Sequence, residues 1–221
     1  MHVIADARYR RMRMRVMPDG SVRITVPRRT AVAHAVEFAQ SHIEWIRQQQ
    51  KTARERTVIF TAGAPIKTRC HEITVSHHAL NTCRIVRDGA AIHILLPENA
   101  DITTAAIQQK IKTIVEEVMR SEALNYLPVR MNELALAFGL TFGRITVKNI
   151  KTRWGSCSAV NNINLNLHLM QLPDRLIDYV LLHELAHVKE KNHSQRFWDF
   201  LEEICPNARQ LDKELKQYHC S

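Results

Sequence analysis

The sequence predicts an α+β protein, with a β-hairpin-rich N-terminal region over residues 1–100 and a compact, mainly helical domain over 101–221. Three observations carry this. Apolar and charged residues alternate over 9–27 and again over 66–96, with Asp19-Gly20 and Asp88-Gly89 as turn signals. Helical spacing dominates after residue 100. The segment 173–190 is apolar almost all round, which marks a buried helix, yet it carries His183, Glu184 and His187.

A chain of 221 residues can bury one large core or two modest ones. With 45% hydrophobic and 24% charged residues and only 6 Gly and 7 Pro, the composition excludes collagen-like and disordered classes. The formal charge of +9 suits an acidic partner, nucleic acid included. Cys70, Cys83, Cys157, Cys205 and Cys220 are odd in number and lack C-x-x-C spacing, which argues against a disulfide framework and a cysteine-held metal. The arginine-rich start has no apolar core of a signal peptide. No apolar run approaches the ~20 residues that span a bilayer. The expected location is therefore cytoplasmic, with no membrane association, and nothing in the composition fixes an oligomeric state.

The first hairpin alternates Met12, Met14 and Val16 with Arg11, Arg13 and Arg15, turns at Pro18 to Ser21, and returns through Val22, Ile24 and Val26 with Arg23 between. One face is apolar and the other basic, either as a solvated edge or as a phosphate-binding ribbon. Residues 30–54 read as helix in two pieces, with Trp45 as a core anchor. Candidate strands follow at 66–75 and 83–96. Asp101 can cap a long helix bearing Ile107, Ile111, Ile114, Val115 and Val118. Pro128 is expected to kink or restart it, and Gly139 to end it. Strands are expected at 144–150 and 163–169. In the second, Leu165, Leu167 and Leu169 point one way and Asn164, Asn166 and His168 the other, so the polar set can line a cleft.

A charged side chain in a buried helix needs compensation. His183 and His187 lie four apart, about 400° of rotation and about 6 Å of rise, so both imidazoles leave one face and can share one Zn²⁺. Glu184, turned about 100° away, can reach a water in the metal's open position. Catalytic zinc usually has a third protein ligand. His193 is the best candidate, provided the helix stops within Lys189 to Asn192, where Asn192 tolerates left-handed backbone. Ser194 can then cap a final helix whose Phe197, Trp198, Leu201 and Ile204 pack inward, while Glu190, Glu202 and Glu203 are rival ligands. With such a set, metal-activated water attacks a carbonyl and Glu184 moves the proton. Tyr179, on the same helix face as His183, is a candidate oxyanion partner as well as a core residue.

Lys151 to Ser158 (KTRWGSCS), Leu182 to His187 (LHELAH), Asn192 to Ser194 (NHS) and Phe197-Trp198 together resemble the YgjP-like zinc metallopeptidases, distant relatives of the SprT-like proteases. The N-terminal hairpin and the Trp45-Ile46 helix fit the same family, so the resemblance covers most of the chain. It implies a compact zincin-like domain, His183, His187 and His193 as ligands of one zinc ion, Glu184 as base, and protein or peptide substrates. It also implies that Arg153, Trp154 and Gly155 lie near the cleft, where backbone can pair with an extended peptide. Two alternatives stand beside this reading. One is a protease acting on DNA-bound proteins through the basic hairpin, and the other a non-enzymatic module in which zinc is structural.

Overall fold

The computed structural model describes residues 1–17, 20–55 and 59–220, and it is a mixed α+β structure in two compact units, Met1–Val58 and Ile59–Ser221. Sequence placed a boundary near residue 100. The division falls earlier because the strands of 66–97 share one apolar core with the helices that follow.

The first unit contains strands β1 (His2–Ala5), β2 (Arg13–Val16) and β3 (Val22–Val26), then helices α1 (Val32–Gln40) and α2 (Ile43–Glu55). β3 is central, parallel to β1 and antiparallel to β2. Pro18 and Asp19 of the expected turn lie outside the described residues. Period-two alternation sends Val22, Ile24 and Val26 inward to meet Ala35, Ala39 and Ile46. Arg13, Arg15 and Arg23 stay exposed, with Arg15 directly opposite Arg23. Trp45 is 43% exposed and does not anchor the core; Ile46 beside it does.

The second unit opens with β4 (Ile66–Lys67), β5 (Glu72–His78), β6 (Arg84–Asp88) and β7 (Ala91–Pro97), in the order β4-β5-β7-β6. Gly89, at φ 57°, supplies the left-handed residue of the β6–β7 turn. Helix α3 (Ala105–Ala137) starts after Thr104, three residues beyond Asp101, whose carboxylate instead accepts from Thr103 N and Oγ1. The helix runs through Pro128 without a break. The carbonyl deprived of its donor there belongs to Leu124, a residue 55% exposed, where water can serve it. Gly139 terminates the helix in left-handed conformation. Buried Glu122 clamps the β4–β5 turn onto α3 by accepting from Thr68 Oγ1 (2.6 Å) and Cys70 N (3.3 Å) and bonding His71 Nδ1 (2.5 Å).

A second sheet then forms from β8 (Ile145–Lys148), β9 (Gly155–Cys157) and β10 (Ile163–Asn166). β10 is central, parallel to β8 and antiparallel to β9, which leaves β9 as an edge. A 3₁₀ turn (Leu167–Gln171) leads to α4 (Asp174–Lys189), α5 (Gln195–Ile204) and α6 (Ala208–Leu215). All five cysteines are free thiols, and no described helix is long and apolar enough to cross a membrane.

Candidate metal centre

Helix α4 buries Leu176, Ile177, Val180, Leu181, Leu182, Leu185 and Ala186, and this apolar jacket fixes its rotation. His183 and His187 then emerge on one face. The helix stops at Glu190, whose extended backbone (φ −119°, ψ 105°) turns the chain while its N–H still bonds Ala186 O. No left-handed residue is used: among described non-glycine residues only Asn161 and Asn207 have positive φ, so Asn192 is not the device. Ser194 caps α5 by accepting from Phe197 N at 3.4 Å.

This turn brings His193 back to the helix face. Its Nε2 lies 3.0 Å from His183 Nε2 and 3.2 Å from His187 Nε2. One ligand atom from each of the three histidines lies within 4.8 Å of the others. Ligands at about 2.0–2.1 Å from a tetrahedral ion stand about 3.3–3.4 Å apart, so the donor set fits a cation with nitrogen preference. Burial first, then the neighbouring His187 and His193, push the His183 pKa down to about 3, and burial lowers that of His187. Both rings are therefore neutral, with lone pairs available to an ion.

Phe197 forms the floor. It is fully buried, and its ring centroid lies 5.0, 4.6 and 4.8 Å from those of His183, His187 and His193. Behind the rings, His187 Nδ1 donates to Glu190 O at 3.0 Å and His183 Nδ1 meets Tyr179 Oη at 3.4 Å. The loop that carries His193 is tied down by Lys191, whose Nζ donates to Ser158 O (3.2 Å) and to Asn161 Oδ1. Glu202 accepts from Asn207 N, and Glu190 contributes its carbonyl to His187.

Glu184 is 5% exposed, and its Oε2 is buried without a hydrogen-bond partner. Burial raises its pKa to about 8, against the pull of the Arg153 guanidinium. The carboxylate lies against Gly155 of β9. A Cβ there would meet Glu184 Oε1, Cγ and Cδ at 2.5, 2.7 and 2.8 Å, so the missing side chain is the space the carboxylate occupies.

The other residues singled out in sequence fall in two groups. Gly155 touches Glu184, the exposed Arg153 acts on the same carboxylate through its charge, and Trp154 is half-buried against the core. Asn166 and Tyr179 do not face a cleft. Asn166 is fully buried and its Nδ2 donates to Ile150 O (2.5 Å) and Arg153 O (2.9 Å), while Oδ1 accepts from His168 N. It ends the strand at 166 and holds the 150–153 loop, so the expected alternation to Leu169 gives way to a buried 3₁₀ turn. Tyr179 is 1% exposed, with its hydroxyl on the Nδ1 side of His183, behind the ring, and also donating to Asp212 Oδ1 at 3.3 Å. The part played by Phe197, and Asp212 altogether, escaped sequence reasoning; Phe197 reads as plain core, and Asp212, 29 residues from His183, leaves no spacing signal.

Comparison with curated proteins gives no match. Two solved structures are similar over 41% of this chain, both described as metallopeptidase zymogens: jannalysin of Methanocaldococcus jannaschii (24% identity, 93% of that chain, TM-score 0.37) and abylysin of Pyrococcus abyssi (23%, 92%, 0.37). Scores of this size transfer no feature of theirs. The YgjP-like metallopeptidase-domain model, in contrast, matches residues 10–218, nearly the whole sequence, and the chain belongs to that family of peptidases.

Proposed function

We propose that the chain is a zinc-dependent peptidase on a zincin-like domain, with one Zn²⁺ held by His183, His187 and His193 and with Glu184 as general base. The observation that carries this reading is the meeting of three Nε2 atoms, together with a buried carboxylate, that of Glu184 next to His183 in the chain, whose Oε2 has no hydrogen-bond partner. When bound, the cation lowers the pKa of a coordinated water and polarises the scissile carbonyl. Glu184 accepts the water's proton and passes it to the leaving amine. Its raised basicity suits proton transfer near neutral pH. Phe197 keeps the three rings in register, and Gly155 leaves the carboxylate its place. The outer side of the edge strand β9, with Arg153 and Trp154 leading into it, offers backbone groups to an extended peptide. A purely structural zinc site would leave the buried, unpartnered Glu184 without a reason.

The test is metal content and cleavage of denatured casein by wild type, Glu184→Gln and His193→Ala. Glu184→Gln retains one zinc and loses cleavage, while His193→Ala loses both. Cleavage at the wild-type rate by Glu184→Gln refutes the assigned role.

A second reading concerns the first unit. Residues 1–58 hold twelve of the 31 Lys and Arg and five of the 22 Asp and Glu, so +7 of the chain's +9 sits there. Arg15 and Arg23 oppose one another across the strands, a like-charge pairing that costs stability. This face suits a phosphate backbone, which would bring the peptidase to proteins on nucleic acid. Replacing Arg13, Arg15 and Arg23 by Glu should reduce the salt dependence of DNA binding by about 2–3 in log–log slope. Absence of wild-type binding at low salt removes this reading.

A further inference from the structure

We infer that Asp212 and Tyr179 form a positioning relay that fixes the tautomer and ring orientation of His183. The inference rests on the reading of His183 as a metal ligand. Neutral histidine has two tautomers, and only the Nδ1–H form leaves a lone pair on Nε2. In this protein Nε2 is the atom that faces the other two imidazoles. Something must therefore hold the proton on Nδ1.

Tyr179 is placed to do so. It is 1% exposed, one helical turn before His183, and its hydroxyl has a single proton. That proton is donated to Asp212 Oδ1 at 3.3 Å. The hydroxyl oxygen then presents only lone pairs to His183 Nδ1, 3.4 Å away, so Nδ1 must be the donor. Direction runs from the carboxylate inward: Asp212 orients the tyrosine, and the tyrosine orients the imidazole. Asp212 is itself held, since its Oδ2 accepts at 2.6 Å from Nζ of Lys216, the residue that follows the last turn of α6. Helix α6 is in turn joined to α4 by the Arg175–Glu214 ion pair. The C-terminal helix thus reaches the metal centre through one buried hydroxyl. His187 reaches the same end more simply, by donating Nδ1–H to the Glu190 carbonyl.

The experiment uses the full chain and two variants. Tyr179→Phe keeps the buried ring and removes only the hydroxyl. Asp212→Ala changes a side chain that is 28% exposed and leaves the tyrosine in place. Two readouts are taken. Nitrogen-15 NMR of the metal-free protein reports the His183 tautomer, and chelator competition reports zinc affinity, with chemical unfolding of the metal-free form as control. Wild type is expected to show His183 as the Nδ1–H form. Both variants should show a tautomer mixture and zinc affinity 10–100-fold weaker, with metal-free unfolding little changed for Asp212→Ala. Wild-type tautomer and affinity in both variants overturn the relay. Should Tyr179→Phe fail to fold, Asp212→Ala alone decides. A wild-type protein that binds no zinc sinks the ligand reading, while the tautomer measurement still judges the relay.

Discussion

Replacing Gly155 by Ala places one methyl group where the Glu184 carboxylate lies. The added Cβ would stand 2.5–2.8 Å from three Glu184 atoms, whereas ordinary carbon contacts need about 3.5–4.0 Å. The deficit is about 1 Å, and either the carboxylate or strand β9 must give by that amount. Gly155 has no positive φ, so the substitution tests space and not backbone strain. Overpacking of this kind costs about 1–3 kcal/mol, offset by about 0.4–1 kcal/mol from a stiffer unfolded chain, so a net loss of about 1–2 kcal/mol is expected. Activity should suffer more, since a misplacement of about 1 Å at the reacting groups costs on the order of 100-fold in kcat. The nearest atoms to the new methyl belong to Glu184, so bound zinc should stay at one equivalent. The assay is kcat on a quenched fluorescent peptide, with metal content and urea unfolding measured on the same preparations and Ser156→Ala as a neighbouring control. Gly155→Ala with wild-type kcat and wild-type stability refutes the contact between β9 and the carboxylate as a functional constraint.

Three further outcomes follow from the same geometry. In metal-free protein, Glu184 holds its proton up to about pH 8 when folded, but releases it near its ordinary 4.5 when unfolded. Stability from this group is therefore full below about pH 4.5 and falls as pH rises towards 8, by of the order of 5 kcal/mol at about 1.4 kcal/mol per pH unit. The stability difference between wild type and Glu184→Gln should shift against wild type across that window; a flat difference contradicts the burial of the carboxylate. Asn166→Asp removes both amide donors and turns a carboxylate towards the Ile150 and Arg153 carbonyls, so thermal unfolding should show a loss of at least about 2–4 kcal/mol; an unchanged midpoint contradicts the clamp. Phe197→Ala opens a cavity under three imidazoles and should cost about 3–5 kcal/mol by urea unfolding, together with weaker zinc binding by chelator competition; zinc affinity unchanged would show that the ring does not support the ligands.

What sequence revealed of the site was what lies on one periodic element. His183 and His187 share a helix, so their spacing alone puts them on one face. The helix stop before His193 was legible from the charged run, but its mechanism was not: extended Glu190 makes the turn, without the left-handed residue expected at Asn192. Asn166 misled for a related reason. Its alternation with leucines fits a strand, yet the side chain captures His168 N and two loop carbonyls, and such local side-chain capture overrides period-two patterning. In α1 and α2 the bulky Trp45 suggested a core anchor, while Ala35, Ala39 and Ile46 supply the buried contacts and Trp45 stays 43% exposed. The contacts Gly155–Glu184 and Tyr179–Asp212 join residues about 30 apart on different elements, and only tertiary packing creates them.

X-ray absorption on zinc-loaded protein bears most directly on the metal centre. Three imidazole nitrogens and one oxygen, at about 2.0–2.1 Å, are the expected shell. With His193→Ala one imidazole contribution should vanish. A shell containing sulfur, or one left unaltered by His193→Ala, would contradict the ligand set on which the catalytic account stands.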